Sequence, residues 1–481
     1  MEGIMALDHI NSSPQRPIKR LLVANRGEIA KRVIDCAREL SLETFALITS
    51  GDTSHALGAA HVLPIASSAT YVDTAALIDL VKHHRIDAVH PGYGFLSESA
   101  DFAQRMRTEA EAIVVGPGWD VLRKTGDKLA GKLLVQQCGV PTLPAMDIPS
   151  AGVEDIRQFV RKAGLPVMLK AVDCGGGKGI RLVRQESDLE SAAKRAIAES
   201  PSHRIFAEKA AVDGFRHIEV QIIGDGSGKG TFFHVLLLTV LRYLFLMPIQ
   251  SLGTIQRRYQ KIIEQAPSTI KDGDTSLDTF EFLVNADRGE FFFLKVNPRL
   301  QMEHTVTECI AQGESLADTE LKVSSERDWT LSIGRVEAFS LPTGHGVRVD
   351  THLSHFQTVI VEADFDSLLA KIVVTGESRG AVISKCRRAL EDTRVEGLKT
   401  NLDILRAIVL HDDFERSLCD TSWLERCMID LLMSGSKISR SITNLEEAVS
   451  RFIENGRQPS VSLNNSIGST IMLRKGDAWA L

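Results

Sequence analysis

A mixed α/β and α+β chain of about three domains, opening on a parallel sheet, is predicted by three observations. Short apolar runs alternate with helix-period segments through the first third of the sequence. A glycine-rich loop separates two apolar runs in the middle. A strand followed by a mostly helical stretch fills the last third. The length of 481 residues fits that number of domains at roughly 150 residues each.

The first apolar run, Leu21 to Ala24, leads through Asn25-Arg26-Gly27-Glu28 into a helix on which Ile29, Val33, Ile34 and Ala37 recur at spacings of three and four. Thr44 to Ser50, Asp87 to His90 and Ala112 to Gly116 read as further strands. The second of these ends in the turn-rich segment Pro91-Gly92-Tyr93-Gly94-Phe95. Strands with helical crossovers make a parallel sheet, whose ligands bind at the carboxyl ends of the strands, where these turns fall. A helix is expected from about Asp127 to Cys138, stopped by Gly139 and Pro141. Leu165 to Ala171 and Ile180 to Val183 read as a strand pair around Cys174-Gly-Gly-Gly-Lys-Gly179, and 217–223 as a half-buried strand. Gly346 to Asp350 is a strand, 379–430 is mostly helical, and a last helix is expected near 444–454.

With 56 Lys+Arg against 62 Asp+Glu, the net charge of −6 favours neither nucleic acid nor an anionic membrane as partner. The 7 cysteines are scattered without metal-ligand spacing and read as reduced cytoplasmic thiols. The first twenty residues lack the apolar region of a secretory signal and carry Glu2 and Asp8, against a transit peptide. Thr231 to Ile249 is apolar along most of its length, but His234, Arg242 and Pro248 interrupt it, so no membrane span is expected.

Two segments bear on chemistry. Glycines at 175–177 and 179 allow backbone N–H groups to approach phosphate, with Lys170 and Lys178 supplying charge; a plain hairpin turn fits the same residues. In Phe291 to His304, period two puts Lys295, Asn297, Arg299, Gln301 and Glu303 on one face and Leu294, Val296, Leu300 and Met302 on the other. That row suits a solvent face, or a site for an anion and a proton transfer. Glu281, flanked by Phe280 and Phe282, is a carboxylate in apolar surroundings that needs a partner, and a metal is a natural one.

Taken together the segments resemble the biotin carboxylases, the ATP-grasp components of biotin-dependent carboxylases. The likeness is carried by LLVANRGEIAKR (Leu21–Arg32), HPGYGFLSESA (His90–Ala100), GDK (Gly126–Lys128), Lys170–Arg181, HIEVQ (His217–Gln221) and QRRYQKIIEQAP (Gln256–Pro267). It continues in Thr279–Leu283, NPRLQMEH (Asn297–His304), FDSLLAK (Phe365–Lys371) and EGLKTN (Glu396–Asn401). The resemblance implies an N-terminal α/β domain (18–125), an ATP-grasp domain (126–329, lid 142–215) and a C-terminal domain (330–430), with 1–17 as leader and 431–481 as tail. It implies that ATP and bicarbonate form carboxyphosphate, which carboxylates biotin. Lys128, Lys170 and the loop Gly175, Gly176, Gly177 and Gly179 would hold phosphates. Glu208 and Lys209 would edge the adenine, and His217 and Gln256 the ribose. Lys261 would bridge the transferring phosphoryl group. Arg299, Gln301 and Met302 would hold bicarbonate, with Glu303 as base, and Glu281 and Asn297 would ligate Mg2+ or Mn2+.

The sequence departs from that family at four places. Lys295 stands where a second metal-binding glutamate is usual. An apolar insertion (237–253) replaces the usual approach to the QRR motif. The stretch 268–278 is too short for the usual helices, and 316–333 matches nothing convincingly. The abruptness of these changes suggests an altered exon structure, and the chain lacks the carrier's biotin-accepting loop. A biotinylated carrier in trans, a carboxyltransferase partner and a homodimer are therefore the expected partners, in the cytoplasm. A catalytically impaired nucleotide-binding homologue is the alternative. Carbamoyl-phosphate synthesis is disfavoured by ANRGEIA and FDSLLAK.

Overall fold

The computed structural model describes residues 17–126, 131–132, 135–136, 139–146, 148–172, 179–212, 214–223, 231–232, 237–241, 245–248, 277–285, 287–301, 315–322, 331–355, 359–416, 418–455, 462–464 and 470–472. Its first unit is a five-stranded, wholly parallel sheet in the order β3-β2-β1-β4-β5. The strands are β1 (Arg20–Val23), β2 (Glu43–Ile48), β3 (His61–Pro64), β4 (Ala88–His90) and β5 (Ile113–Val114). Helices α1 (Gly27–Glu39), α2 (Thr74–His84), α3 (Ala100–Ala110) and α4 (Trp119–Gly126) follow strands in turn. Alternation along β1 sends Leu21 and Val23 into the core under α1, and Leu22 into the opposite core with Phe45, Leu77 and Phe102. Burial on both faces is why these strands read as continuous apolar runs.

The carboxyl ends of β1 and β4 are tied by Asn25, whose amide donates to the carbonyls of Pro91 (2.6 Å) and Tyr93 (2.8 Å). Gly92 has φ +63°, and a Cβ there would lie 2.7 Å from the Asn25 amide nitrogen. The turn therefore needs glycine twice over, for its backbone angle and for that close approach.

A small antiparallel sheet, β7-β6-β8, comes next, built from β6 (Val167–Ala171), β7 (Ile180–Val183) and β8 (Ile205–Lys209). Helices α5 (Val153–Ala163) and α6 (Glu186–Glu199) cover it through Ile156, Val160, Leu189 and Ala193. The chain from Pro141 to Ser150 stitches this unit to the large sheet. Thr142 bridges to Phe293, while Ala145 and Ser150 bridge to Glu208 and Ile205.

The large sheet has nine strands: β9 (Arg216–Ile223), β10 (Thr231–Phe232), β11 (Leu237–Leu241), β12 (Phe245–Pro248), β13 (Leu277–Asn285), β14 (Glu290–Asn297), β15 (Ser315–Lys322), β18 (Val347–Thr351) and β20 (Leu368–Gly376). Their order is β14-β13-β9-β11-β12-β15-β20-β18, with β10 on β9. Within the apolar insertion, β11 and β12 form an antiparallel pair that lies between β9 and β15. Among the described residues no helix is long and apolar enough to cross a membrane. The short pairs β16 (Gly334–Arg335) with β19 (Ile360–Val361), and β17 (Ala338–Ser340) with β21 (Arg394–Glu396), flank the last domain.

Helix α7 (Arg379–Asp392) packs on β15 and β20, α8 (Leu402–Val409) on β15 and α7, and α9 (Asp412–Glu415) and α10 (Trp423–Asn455) on α8, around Leu390, Ile404, Leu405 and Trp423. The helix expected near 444–454 is the second half of α10, so the tail expected from 431 begins inside a helix. The physical reason is Leu431, which is buried in the C-terminal core and carries the helix's apolar stripe past that point.

The first and last domains are locked by buried polar groups. Lys371 on β20, fully buried, lies 3.5 Å from Glu28 on α1, which also accepts a hydrogen bond from the Tyr93 hydroxyl. Arg26 pairs with Asp52, and its guanidinium stacks 4.2 Å above the Phe365 ring. Burial drives the Glu28 carboxyl above its usual range, opposed by Lys371 and Tyr93.

Candidate active site

Two groups of predicted residues are placed by neighbouring strands. The first lies at the small antiparallel sheet. Lys170 on β6 stands opposite Phe206 in the register, beside Glu208 of β8. Glu208 is buried and accepts from Lys170 and, at 2.6 Å, from Lys132. Burial pushes the Glu208 pKa up, but the two ammonium groups outweigh it and hold the carboxyl below its usual range. Lys209, one residue on, points to the other side of the strand and donates to the carbonyls of Leu165 (2.7 Å) and Gly164 (3.2 Å). Gly179, with φ +70°, closes the β6–β7 hairpin through the Ala171 N–H to Gly179 O bond of 3.0 Å. Lys128, Gly175, Gly176 and Gly177 lie outside the described residues, as do Gln256, Lys261, Met302 and Glu303.

The second group lies on the large sheet. In the β9–β13–β14 ladder Glu281 stands opposite both Glu219 and Lys295, with Asn297 opposite Thr279 and His217 opposite Leu283. Directly opposed carboxylates repel, and the neighbours of Glu281 answer that repulsion. Its Oε1 takes Lys295 Nζ at 2.7 Å and Asn297 Nδ2 at 2.5 Å, and its Oε2 lies 2.7 Å from His217 Nε2. Lys295 also donates to Asn297 Oδ1 at 2.8 Å. His217, Glu219 and Glu281 are all buried, and each offers a ligand atom within 4.8 Å of the others.

A backbone irregularity aims Lys295. Phe293 pairs with Phe282 and Lys295 with Glu281, so the register skips Leu294. This β-bulge turns Phe293 into the core and Lys295, two residues later, to the opposite face. The polar row expected to run to Glu303 as one strand face stops at Asn297. Pro298 lacks an N–H and ends the edge strand, and the Arg299 N–H turns back to the Asn297 carbonyl at 3.0 Å. Arg299 and Gln301 therefore leave that row. Arg299 pairs instead with Glu98 of the N-terminal domain and donates to Leu300 O at 3.1 Å. Gln301 is buried.

The resemblance puts His217 near a ribose; in the structure its Nε2 lies 2.7 Å from Glu281 Oε2. Glu219 was missed by sequence reasoning, although it sits two residues from His217 and so on the same strand face. A divalent cation is tested by the donors present. Carboxylate and amide oxygens suit Mg2+, but Glu281 Oε1 and Asn297 Oδ1 both already hold the Lys295 ammonium. A dication does not fit at that corner while the ammonium occupies it.

The family models described as "Biotin carboxylase, N-terminal domain", "Carbamoyl-phosphate synthase L chain, ATP binding domain" and "Biotin carboxylase C-terminal domain" match residues 17–122, 127–331 and 320–426. The biotin carboxylase of Halalkalibacterium halodurans is 34% identical over 460 residues, covering 84% of this chain and 97% of that protein. Human mitochondrial pyruvate carboxylase is also 34% identical, covering 85% of this chain. The chain spans only 38% of that enzyme's length, and about two fifths of the other pyruvate carboxylases it matches. Among solved structures, the Campylobacter jejuni biotin carboxylase–β-γ-ATP complex superposes with a TM-score of 0.77 at 30% identity, covering 85% of this chain and 99% of that one. The biotin carboxylase domain dimer of Hydrogenobacter thermophilus 2-oxoglutarate carboxylase, in complex with MgADP, ADP and bicarbonate, gives the same TM-score and identity, covering 85% and 98%.

Proposed function

This chain belongs to the biotin carboxylase family, and we propose that it carries out ATP- and bicarbonate-dependent carboxylation of biotin borne on a carrier protein or domain. The observation that carries this reading is the buried set of His217, Glu281 and Asn297 on three adjacent strands, next to the sheet that bears Lys170 and the glycine hairpin. In the proposed reaction a bicarbonate oxygen takes the γ-phosphoryl group of ATP, giving ADP and carboxyphosphate, and the carboxyl group then passes to biotin. Phosphoryl transfer needs fixed positive charge around the phosphates. Lys128, Lys170 and Lys261, with the N–H groups of Gly175, Gly176, Gly177 and Gly179, supply it in this reading. Bicarbonate becomes a nucleophile when a cation clamps it and a base takes its proton; Arg299, with Gln301 and Met302, is the proposed clamp and Glu303 the base. ATP is the cosubstrate, and Mg2+ is read as arriving on the nucleotide's own phosphates. A carboxyltransferase and a second copy of the chain are the further partners proposed. Among the described residues the thiols of Cys36, Cys419 and Cys427 are free, which suits a cytoplasmic setting.

One observation favours a second reading. Lys295 occupies the oxygens of Glu281 and Asn297, so the chain could bind nucleotide without turning it over. Release of ADP, followed with free biotin and bicarbonate each present or omitted, tests both. ADP release that requires both compounds supports the carboxylase. A rise in melting temperature with ADP, and no release above the bicarbonate-free control, selects the nucleotide-binding homologue instead.

A further inference from the structure

A second cluster of metal-type ligands lies in the C-terminal domain, beyond the groups used above. His411, Asp413 and Cys427 each present a ligand atom, all within 4.8 Å of one another, and all three are partly buried. They come from two elements. His411 caps the short helix α9 and Asp413 lies within it, while Cys427 sits on α10, one turn beyond Trp423.

One indole organises all three. Trp423 is buried, and its Nε1 donates to Asp413 Oδ2 at 2.9 Å, which fixes the carboxylate. The His411 ring stands edge-on to the indole, with centroids 5.0 Å apart. Cys427, at i+4 from Trp423, shares its helix face and packs against the C-terminal core. A metal ligand held by a second hydrogen-bonding residue is the usual arrangement of a built site.

The spacing suits one ion. His411 Nδ1 and Asp413 Oδ2 are 3.8 Å apart. Two ligands of a tetrahedral ion with bonds of about 2.0–2.3 Å stand roughly 3.3–3.8 Å apart. In the free protein the Asp413 backbone N–H donates to His411 Nδ1 at 3.1 Å. A metal that takes this lone pair gives up one hydrogen bond and gains three coordinate bonds. The mixture of imidazole nitrogen, carboxylate oxygen and thiol sulfur selects a borderline-soft cation and disfavours Mg2+ and Ca2+.

We propose that His411, Asp413 and Cys427 form a Zn2+ site, with water as the fourth ligand, that clamps α9 to the start of α10. The thiol loses its proton on binding, so affinity rises with pH.

The full chain, stripped with chelator under reducing conditions, is titrated first with Co2+ and then with Zn2+. One Co2+ per chain should give a thiolate-to-cobalt charge-transfer band, which Zn2+ abolishes, and Zn2+ should raise the melting temperature. Cys427→Ser should lose both the band and the thermal shift, while Cys36→Ser keeps both. Asp413→Asn, which still accepts from the Trp423 indole, should fold as the parent does and bind at least tenfold more weakly. Absence of the band in the parent, or its survival in Cys427→Ser, overturns the site. So does unchanged affinity in a folded Asp413→Asn.

Discussion

Lys371 and Lys295 each bring an ammonium group to a buried glutamate, but in different surroundings. Lys371 is fully enclosed between the first and last domains, 3.5 Å from Glu28. Lys295 keeps 28% of its side chain exposed and lies 2.7 Å from Glu281. Glu28 has few donors for its burial, and its carboxyl is driven above the usual range. Among the described residues Glu281 has at least three: the lysine, the Asn297 amide and the His217 ring. A sealed pair with little to spare behaves as a structural lock. A carboxylate with surplus donors on an accessible side can trade one of them for a ligand.

The contrast is broken most directly by removing each lysine. Lys371→Met strands Glu28 in the interior and should cost about 3–5 kcal/mol in urea unfolding. Lys295→Met should cost about 1 kcal/mol or less, because that ammonium is partly solvated and Glu281 keeps two partners. Equal losses would erase the distinction.

The second largest effect is on pH dependence, through His352, which lies in the lock near Arg26, Asp52 and His55. Burial, with help from Arg26 and His55 and against Asp52, depresses its pKa from 6.5 to about 3. The unfolded chain therefore binds a proton that the folded one refuses. Stability is complete above pH 6.5 and falls as pH drops from there toward 3, at up to about 1.4 kcal/mol per pH unit from this one group. Urea midpoints measured across that range should flatten in His352→Gln; an unchanged slope would remove His352 from the lock.

Third, Lys295→Glu should make nucleotide binding at least tenfold more dependent on Mg2+, about 1.4 kcal/mol, read by ADP titration with and without chelator. Equal Mg2+ dependence in the parent and the variant would show that Lys295 does not stand in a cation's place. The smallest effect is on the stability side of Arg299→Ala. Its ion pair with the half-exposed Glu98 should be worth less than about 1 kcal/mol, so a large fall in bicarbonate-dependent turnover with little change in unfolding would assign Arg299 to the chemistry.

Much of this architecture could be read from the residues. The parallel sheet was legible because Leu21 to Val23 and Ala88 to Val89 are buried on both faces and so form unbroken apolar runs. The strands bearing His217 and Glu281 were legible from alternation. Glu219 shares the same alternation with His217 and was overlooked because a carboxylate on a polar face reads as solvated. The bulge at Leu294 had no local signature, since it arises from what the neighbouring strand requires. Lys371 opposite Glu28, and Arg299 beside Glu98, join residues far apart in the chain; periodicity cannot report such pairs. Glu208 was assigned to the adenine edge by resemblance alone, and its grip on Lys170 and Lys132 came only with the fold.

The skipped residue at Leu294 makes the edge strand modular. Its aromatic half answers to Phe282 in the core, whereas its polar half answers to Glu281. Because the irregularity insulates one half from the other, position 295 can exchange an acid for a base without disturbing the anchor beside it. Mutational drift can then change the charge beside Glu281 while the scaffold stays constant, a division of labour that an unbroken strand would not permit.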